Sequence, residues 1–244
     1  MEHKEFKRIV CGSTTAILFI HGIVGTPNHF NELVSLIPES LSVYNMLLEG
    51  HGKEVKDFSK ASMEKWEAQV TAAVEELSST HNEIYIVAHS MGALLAIEQA
   101  VKCEKVAKLF LLAVPMKLSL KPRMITNSLK VYFNRIRPDD REAIAAKECY
   151  GINGGKNPFQ YLGWIPRFLE LFLKIRYTRK NISALNTPCF AYQSGKDEMV
   201  SSRSFEYLKQ NPRVSVGVLE NSGHYYYDEK DWSFLLGKFE SILI

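Results

Sequence analysis

Short apolar runs rich in β-branched and aromatic residues recur along the chain at 16–20, 42–47, 84–88, 109–114, 189–193 and 214–219. Runs of this length with little polar alternation predict strands buried on both faces. Helical stretches separate them, most plainly residues 92–100, which are built of strong helix formers and follow the run at 83–87. The alternation predicts an α/β fold: a mainly parallel, doubly wound sheet covered on both faces, with functional loops gathered at the strand C-terminal ends. Residues 4–10 can add one edge strand before this series.

Between Pro115 and Pro188 the alternation stops. The stretch holds residues 116–137, a charged piece at 138–147 and an aromatic piece at 164–177, without a core-strand pattern. It predicts a helical insertion over 116–187 in a core made of 1–115 and 188–244. Trp164, Ile165, Phe168, Leu169, Phe172 and Ile175 recur at helical spacing and predict an amphipathic helix. Its apolar face can line a ligand pocket or pack on the core.

The junction of the third long run and its helix reads Val87-Ala88-His89-Ser90-Met91-Gly92. A serine at a strand-to-helix turn occupies a strained bend, and the residues two before and two after it must be small. Ala88 and Gly92 meet that demand, giving A-x-S-x-G where most such turns have G-x-S-x-G. The helix start behind Ser90 offers free N–H groups and a dipole that favour a developing oxyanion. A second loop of this kind, His21-Gly22-Ile23-Val24-Gly25, follows the run at 16–20. Gly22 lets the backbone turn closely, so the Ile23 N–H can point into a site beside that of Met91. The same loop also reads as a turn into a helix, with Thr26 as N-cap and Pro27 at the first helical position.

A serine hydroxyl needs a base and a group to orient it. Of seven histidines, His21 and His89 belong to the loops above and His51 to a Gly50-His51-Gly52 turn, while His3, His29 and His81 sit in polar surroundings. His224 follows the run at 214–219 through the turn cluster Asn221-Ser222-Gly223, a strand-end position suited to a base. The run at 189–193 leads through Gly195 to Asp197, with Glu198 beside it as a rival. Asp228 and Asp231 follow the histidine and read as charge at the start of the last helix.

Ser90, Asp197 and His224, in that chain order, with the loop at 21–25, the Glu49-Gly50-His51-Gly52 turn and Ser222-Gly223-His224, resemble the α/β-hydrolases. More narrowly, the chain is similar to small bacterial carboxylesterases and monoacylglycerol-lipase-like enzymes, over nearly its whole length. The resemblance implies an acyl-serine mechanism on carboxylic esters, with Ser90, Asp197 and His224 catalytic and the Ile23 and Met91 amides as oxyanion donors. It implies no metal and no organic cofactor. It also makes 116–187 a cap over the nucleophile, with Trp164 and Phe168 as candidate walls of the substrate pocket. Thioester or carbon–carbon hydrolysis on the same groups stays open, as does a non-catalytic binding protein on this fold.

Composition fits one α/β domain: 244 residues, 46% hydrophobic and 23% charged. The start of the chain lacks a signal-peptide core, so the expected compartment is the cytoplasm. Four cysteines lack metal-ligand spacing and are expected as reduced thiols, and no phosphate loop or nucleic-acid motif is present. Charge is uneven, with fourteen basic and five acidic residues over 117–184, an excess of nine positive charges in a chain of net charge +3. That asymmetry can steer anionic substrates or an anionic lipid surface to the mouth of the site, although a solvated basic face is the plainer account. The partner expected is a small-molecule ester; oligomeric state is not legible.

Overall fold

The computed structural model describes residues 2–155 and 157–243; Met1, Lys156 and Ile244, which fall within the ranges and charge count above, lie outside the described residues. In chain order the strands are β1 (Phe6–Arg8), β2 (Thr15–Ile20), β3 (Ser42–Asn45), β4 (Lys53–Glu54), β5 (Glu83–His89), β6 (Val106–Leu112), β7 (Ile152–Asn153), β8 (Cys189–Ser194) and β9 (Val214–Leu219). The helices are α1 (Asn31–Ser35), α2 (Val55–Lys60), α3 (Met63–Thr80), α4 (Met91–Lys102), α5 (Pro122–Tyr132), α6 (Arg141–Cys149), α7 (Ile165–Asn181), α8 (Ser204–Leu208) and α9 (Glu229–Leu243). Seven strands form one sheet in the order β1-β3-β2-β5-β6-β8-β9, while β4 and β7 pair separately.

Every pairing in the large sheet is parallel except β1 with β3, which is antiparallel. Alternate side chains of the central strands enter two cores. Ala16, Leu18 and Ile20 pack with residues of α3, α4 and α7, and Ile17 and Phe19 face Phe30, Leu33 and Phe239 on the other side. Because both faces are covered, β5 is buried from Ile84 to His89, and its sequence reads as a continuous apolar run. A fully buried Ile or Val side chain in such a run contributes about 1.5–3 kcal/mol.

Two strand ends differ from expectation. The strand expected to reach residue 47 stops at Asn45, and the following chain turns at Gly50, whose φ is +82°. The strand expected over 109–114 begins at Val106 and stops at Leu112, because Ala113 takes a left-handed φ of +51°.

The described residues of 116–187 add no strand to the large sheet and carry α5, α6, β7 and α7. The amphipathic helix is present as α7, entered through a 3-10 turn at Pro158–Trp164. Of the six apolar positions expected on it, Ile175 is buried and Trp164 and Phe168 pack against the core, while Ile165, Leu169 and Phe172 are exposed. Polar side chains share the inner face and hold it in place. Lys174 pairs with Glu67 and Glu98, Arg167 with Glu170, and Glu170 accepts the Met63 N–H, anchoring α7 to α3 and α4. Glu67, Glu98 and Met63 lie far away in sequence, so periodicity alone does not show which of the apolar positions turn inward.

Candidate active site

The sheet places three loops side by side. Between β5 and α4, Ser90 has φ +54° and ψ −122°, a backbone state that L-residues adopt only under constraint. The constraint is packing across the turn. A Cβ on Gly92 would stand 2.2 Å from the Ile20 carbonyl oxygen, so no other residue fits there, while the small side chain of Ala88 is fully buried. The Ser90 N–H donates to the Leu112 carbonyl at 2.9 Å.

Beyond β2 the chain passes directly under this turn. A Cβ on Gly22 would lie 2.9 Å from the Ser90 Cβ, which is why glycine stands there. The Gly25 N–H closes the turn onto the Gly22 carbonyl, and Thr26 caps the following 3-10 turn at Pro27–Phe30. The Ile23 N–H has no hydrogen-bond acceptor among the described residues. Val24 is held at φ +58°, costly for a β-branched residue. Its carbonyl accepts the N–H of Gly151, and the Gly151 carbonyl accepts the N–H of Gly52. Gly151 sits so close that an added Cβ would be 2.0 Å from the Gly25 oxygen. The stretch after α6 is therefore stitched into the loop that carries Ile23.

After β8, the Asp197 carboxylate is buried. Its Oδ1 accepts the N–H groups of Met199 and Val200, each at 2.7 Å, and its Oδ2 lies 2.9 Å from His224 Nδ1. Glu198 turns elsewhere: its Oε2 accepts the His224 backbone N–H at 3.0 Å. The loop before His224 is built by Asp231, whose Oδ2 accepts from the Asn221 N–H and the Ser222 hydroxyl. Asp231 is thus more than helix-start charge. Burial disfavours the His224 cation, but the Asp197 charge and hydrogen bond, aided by Glu198, outweigh it and raise the pKa above the ordinary 6.5. His224 Nε2 is buried with no hydrogen-bond partner among the described residues.

Ser90, Ile23 and His224 line one cavity of about 2060 Å³, and so do Trp164 and Phe168. Its walls are mostly apolar side chains from residues 116–187. Trp164 also belongs to the packing, since its indole N–H donates to the Val55 carbonyl and its ring meets Phe58 at 4.8 Å. Met91 is wholly buried at the start of α4.

Other histidines lie close behind. The ring centroids of His29 and His89 are 4.2 Å apart, and those of His89 and His224 4.7 Å, with Nε2 of His89 donating to the His224 carbonyl. His29 is therefore not in polar surroundings; it packs on Phe30 and bonds to Cys149 Sγ. His81 is also buried, bonded to Ser42 and the end of α3. Nothing in the local sequence marks these contacts, several of which join segments over a hundred residues apart. All four cysteines are free thiols, and no group of three or more His, Cys, Asp or Glu among the described residues could hold a metal.

A comparison with curated proteins gives no match. Among solved structures, one described with LipS and LipT, two metagenome-derived lipolytic enzymes, is 17% identical with a TM-score of 0.75, covering 99% of this chain and 97% of that one. A structure from work on carboxylesterases of the thaumarchaeon Nitrososphaera gargenis is 15% identical, TM-score 0.69, covering 98% and 94%. The monoacylglycerol lipase of Paleococcus ferrophilus is 16% identical, TM-score 0.67, covering 100% and 99%. At such identities these likenesses show the fold. The family model described as Alpha/beta hydrolase family matches residues 17–233, and with nearly the whole chain so matched, the protein belongs to the alpha/beta hydrolase family.

Proposed function

We propose that the protein is a carboxylic ester hydrolase working through an acyl-serine intermediate, with Ser90, His224 and Asp197 as its triad. The observation that carries this is the pair formed by His224 Nδ1 and Asp197 Oδ2, with the unpartnered Nε2 on the same cavity as the strained Ser90. Asp197 fixes the tautomer in which Nδ1 carries the proton and Nε2 is a free base.

In the forward half-reaction, Ser90 Oγ attacks the ester carbonyl carbon while His224 Nε2 takes its proton. The Ile23 and Met91 N–H groups hold the negative oxygen, and Asp197 stabilises the imidazolium. The intermediate expels the alkoxide, which takes the proton from Nε2 and departs as alcohol. Water then repeats the sequence on the acyl-enzyme, giving a proton to Nε2 and its oxygen to the acyl carbon. Ser90 leaves with that proton, and the carboxylic acid is released. No redox change occurs.

Residues 116–187 serve in this reading as the cap, and Phe168 and Trp164 as walls for the acyl chain. The cavity is larger than ordinary ligand sites of roughly 300–1,000 Å³. Its apolar walls suit aliphatic acyl chains, and monoacylglycerols and simple esters are the substrates proposed. The deciding experiment is a series of nitrophenyl esters of increasing chain length beside matched thioesters, with fluorophosphonate labelling of the intact protein. Labelling at Ser90 and ester turnover above thioester turnover support the proposal. Absence of labelling overturns the triad, and faster thioester turnover replaces the substrate class.

A further inference from the structure

The two longest helices of the 116–187 segment carry large apolar side chains on faces that meet water. On α7, Ile165, Leu169, Leu173 and Tyr177 follow at four-residue spacing and all are exposed. Leu173 is 64% exposed, and its neighbour Lys174 is 5% exposed. On α5 the buried position is Asn127, while Ile125 and Leu129 point outward and Phe133, at the helix end, is 59% exposed. A helix facing water carries the opposite pattern, and a contiguous exposed apolar face marks something that covers it.

Charge identifies the cover. Lys121, Arg135, Arg176 and Lys180 are exposed on the same segment and make no salt bridge among the described residues, within a stretch carrying an excess of nine positive charges. A second copy of the chain docked face to face would bring the same cations against them. An anionic surface neutralises them. We infer that the outer face of α5 and α7 docks on an anionic lipid surface, apolar side chains entering the acyl boundary and basic ones meeting the headgroups. Contact is peripheral, since no helix among the described residues is long and apolar enough to cross a membrane.

The face is continuous with the cavity. Leu129, Phe133 and Phe172 are exposed and also line the space that holds Ser90 and His224. A lipid ester drawn from the surface reaches the site along apolar walls. Docking extends the proposed ester hydrolysis to a substrate source, yet it can be tested apart from it.

The test is flotation of the intact protein with vesicles of ether-linked phosphatidylcholine, with and without ether-linked phosphatidylglycerol, lipids that carry no cleavable acyl ester. Binding is expected at least tenfold tighter to the anionic vesicles and weakened by added salt. Each basic residue near such a surface contributes roughly fivefold. The double variant Arg176→Glu/Lys180→Glu should therefore lose more than tenfold, and Leu169→Asp/Leu173→Asp a similar amount. None of these four lines the cavity, so turnover of a soluble short-chain ester should stay unchanged in both variants. Equal binding to both vesicles, or to neither, overturns the inference, as does a dimer in sedimentation that the leucine variant abolishes. Loss of fluorophosphonate labelling with vesicle binding retained would sink the triad and leave the docking surface standing.

Discussion

At the scale of single residues, the proposed chemistry separates groups that are neighbours in sequence. Ser90→Ala should fold and lose turnover by ~10³-fold or more, with labelling abolished. Asp197→Asn should be nearly as damaging, because its Oδ2 faces His224 Nδ1. Glu198→Gln should keep most of the rate, since an amide oxygen can still accept the His224 backbone N–H. The pH profile distinguishes them further. His224 must be neutral to act, and its pKa is raised, so activity should fall as pH drops, with a midpoint above 6.5. Glu198 is one cause of that rise. Removing its charge disfavours the imidazolium, so the acid limb of Glu198→Gln should move to lower pH. A rate–pH curve for both proteins checks this, and a limb that stays in place or moves upward would refute the electrostatic role.

At the scale of elements, two substitutions in the 116–187 segment should behave differently. Phe168→Ala opens a wall of the cavity and should shift chain-length preference, leaving an acetate ester nearly unaffected. Gly151→Ala forces the backbone beside Gly25 to move and should lower kcat by about 10²-fold on every chain length alike, because it displaces the Ile23 amide. Measuring kcat along an ester series tells them apart. Trp164 is the poorer probe, as its bond to Val55 makes loss of packing part of any effect. The strands are legible in the sequence because burial on both faces turns them into unbroken apolar runs. Ser90, Asp197 and His224 are legible because each stands where such a run ends in a small-residue turn. The rotation of α7 is not, since helical spacing shows that a face exists and not which partner it meets. Lys174 reads as a surface residue in the sequence, and only Glu67 and Glu98, closing on it from distant segments, bring it inside. The place of Gly151 is hidden likewise, because its close neighbours Gly25 and Gly52 come from other loops.

At the scale of the whole molecule, buried imidazoles set the acid limit of the fold. Burial pushes His21 down to about 4 and holds His51 and His89 well below 6.5. Unfolded, each takes up a proton near pH 6.5, so stability is whole above that value and falls as pH drops toward the folded values. The loss is about 1.4 kcal/mol per pH unit for each group, with His224 acting in the opposite sense. Thermal melting at pH 7 and pH 5 should show a lower Tm at pH 5, and an unchanged Tm would refute this account. The stitch from Gly151 to Val24 reaches further than the energy of one hydrogen bond. Through it, and through the bond from Gly52 to Gly151, the stretch after α6, the loop bearing Ile23 and the turn at residues 50–52 hold one another in register. The backbone there works as a tie-rod: a displacement at 151 is felt at residue 24 without passing through any side chain.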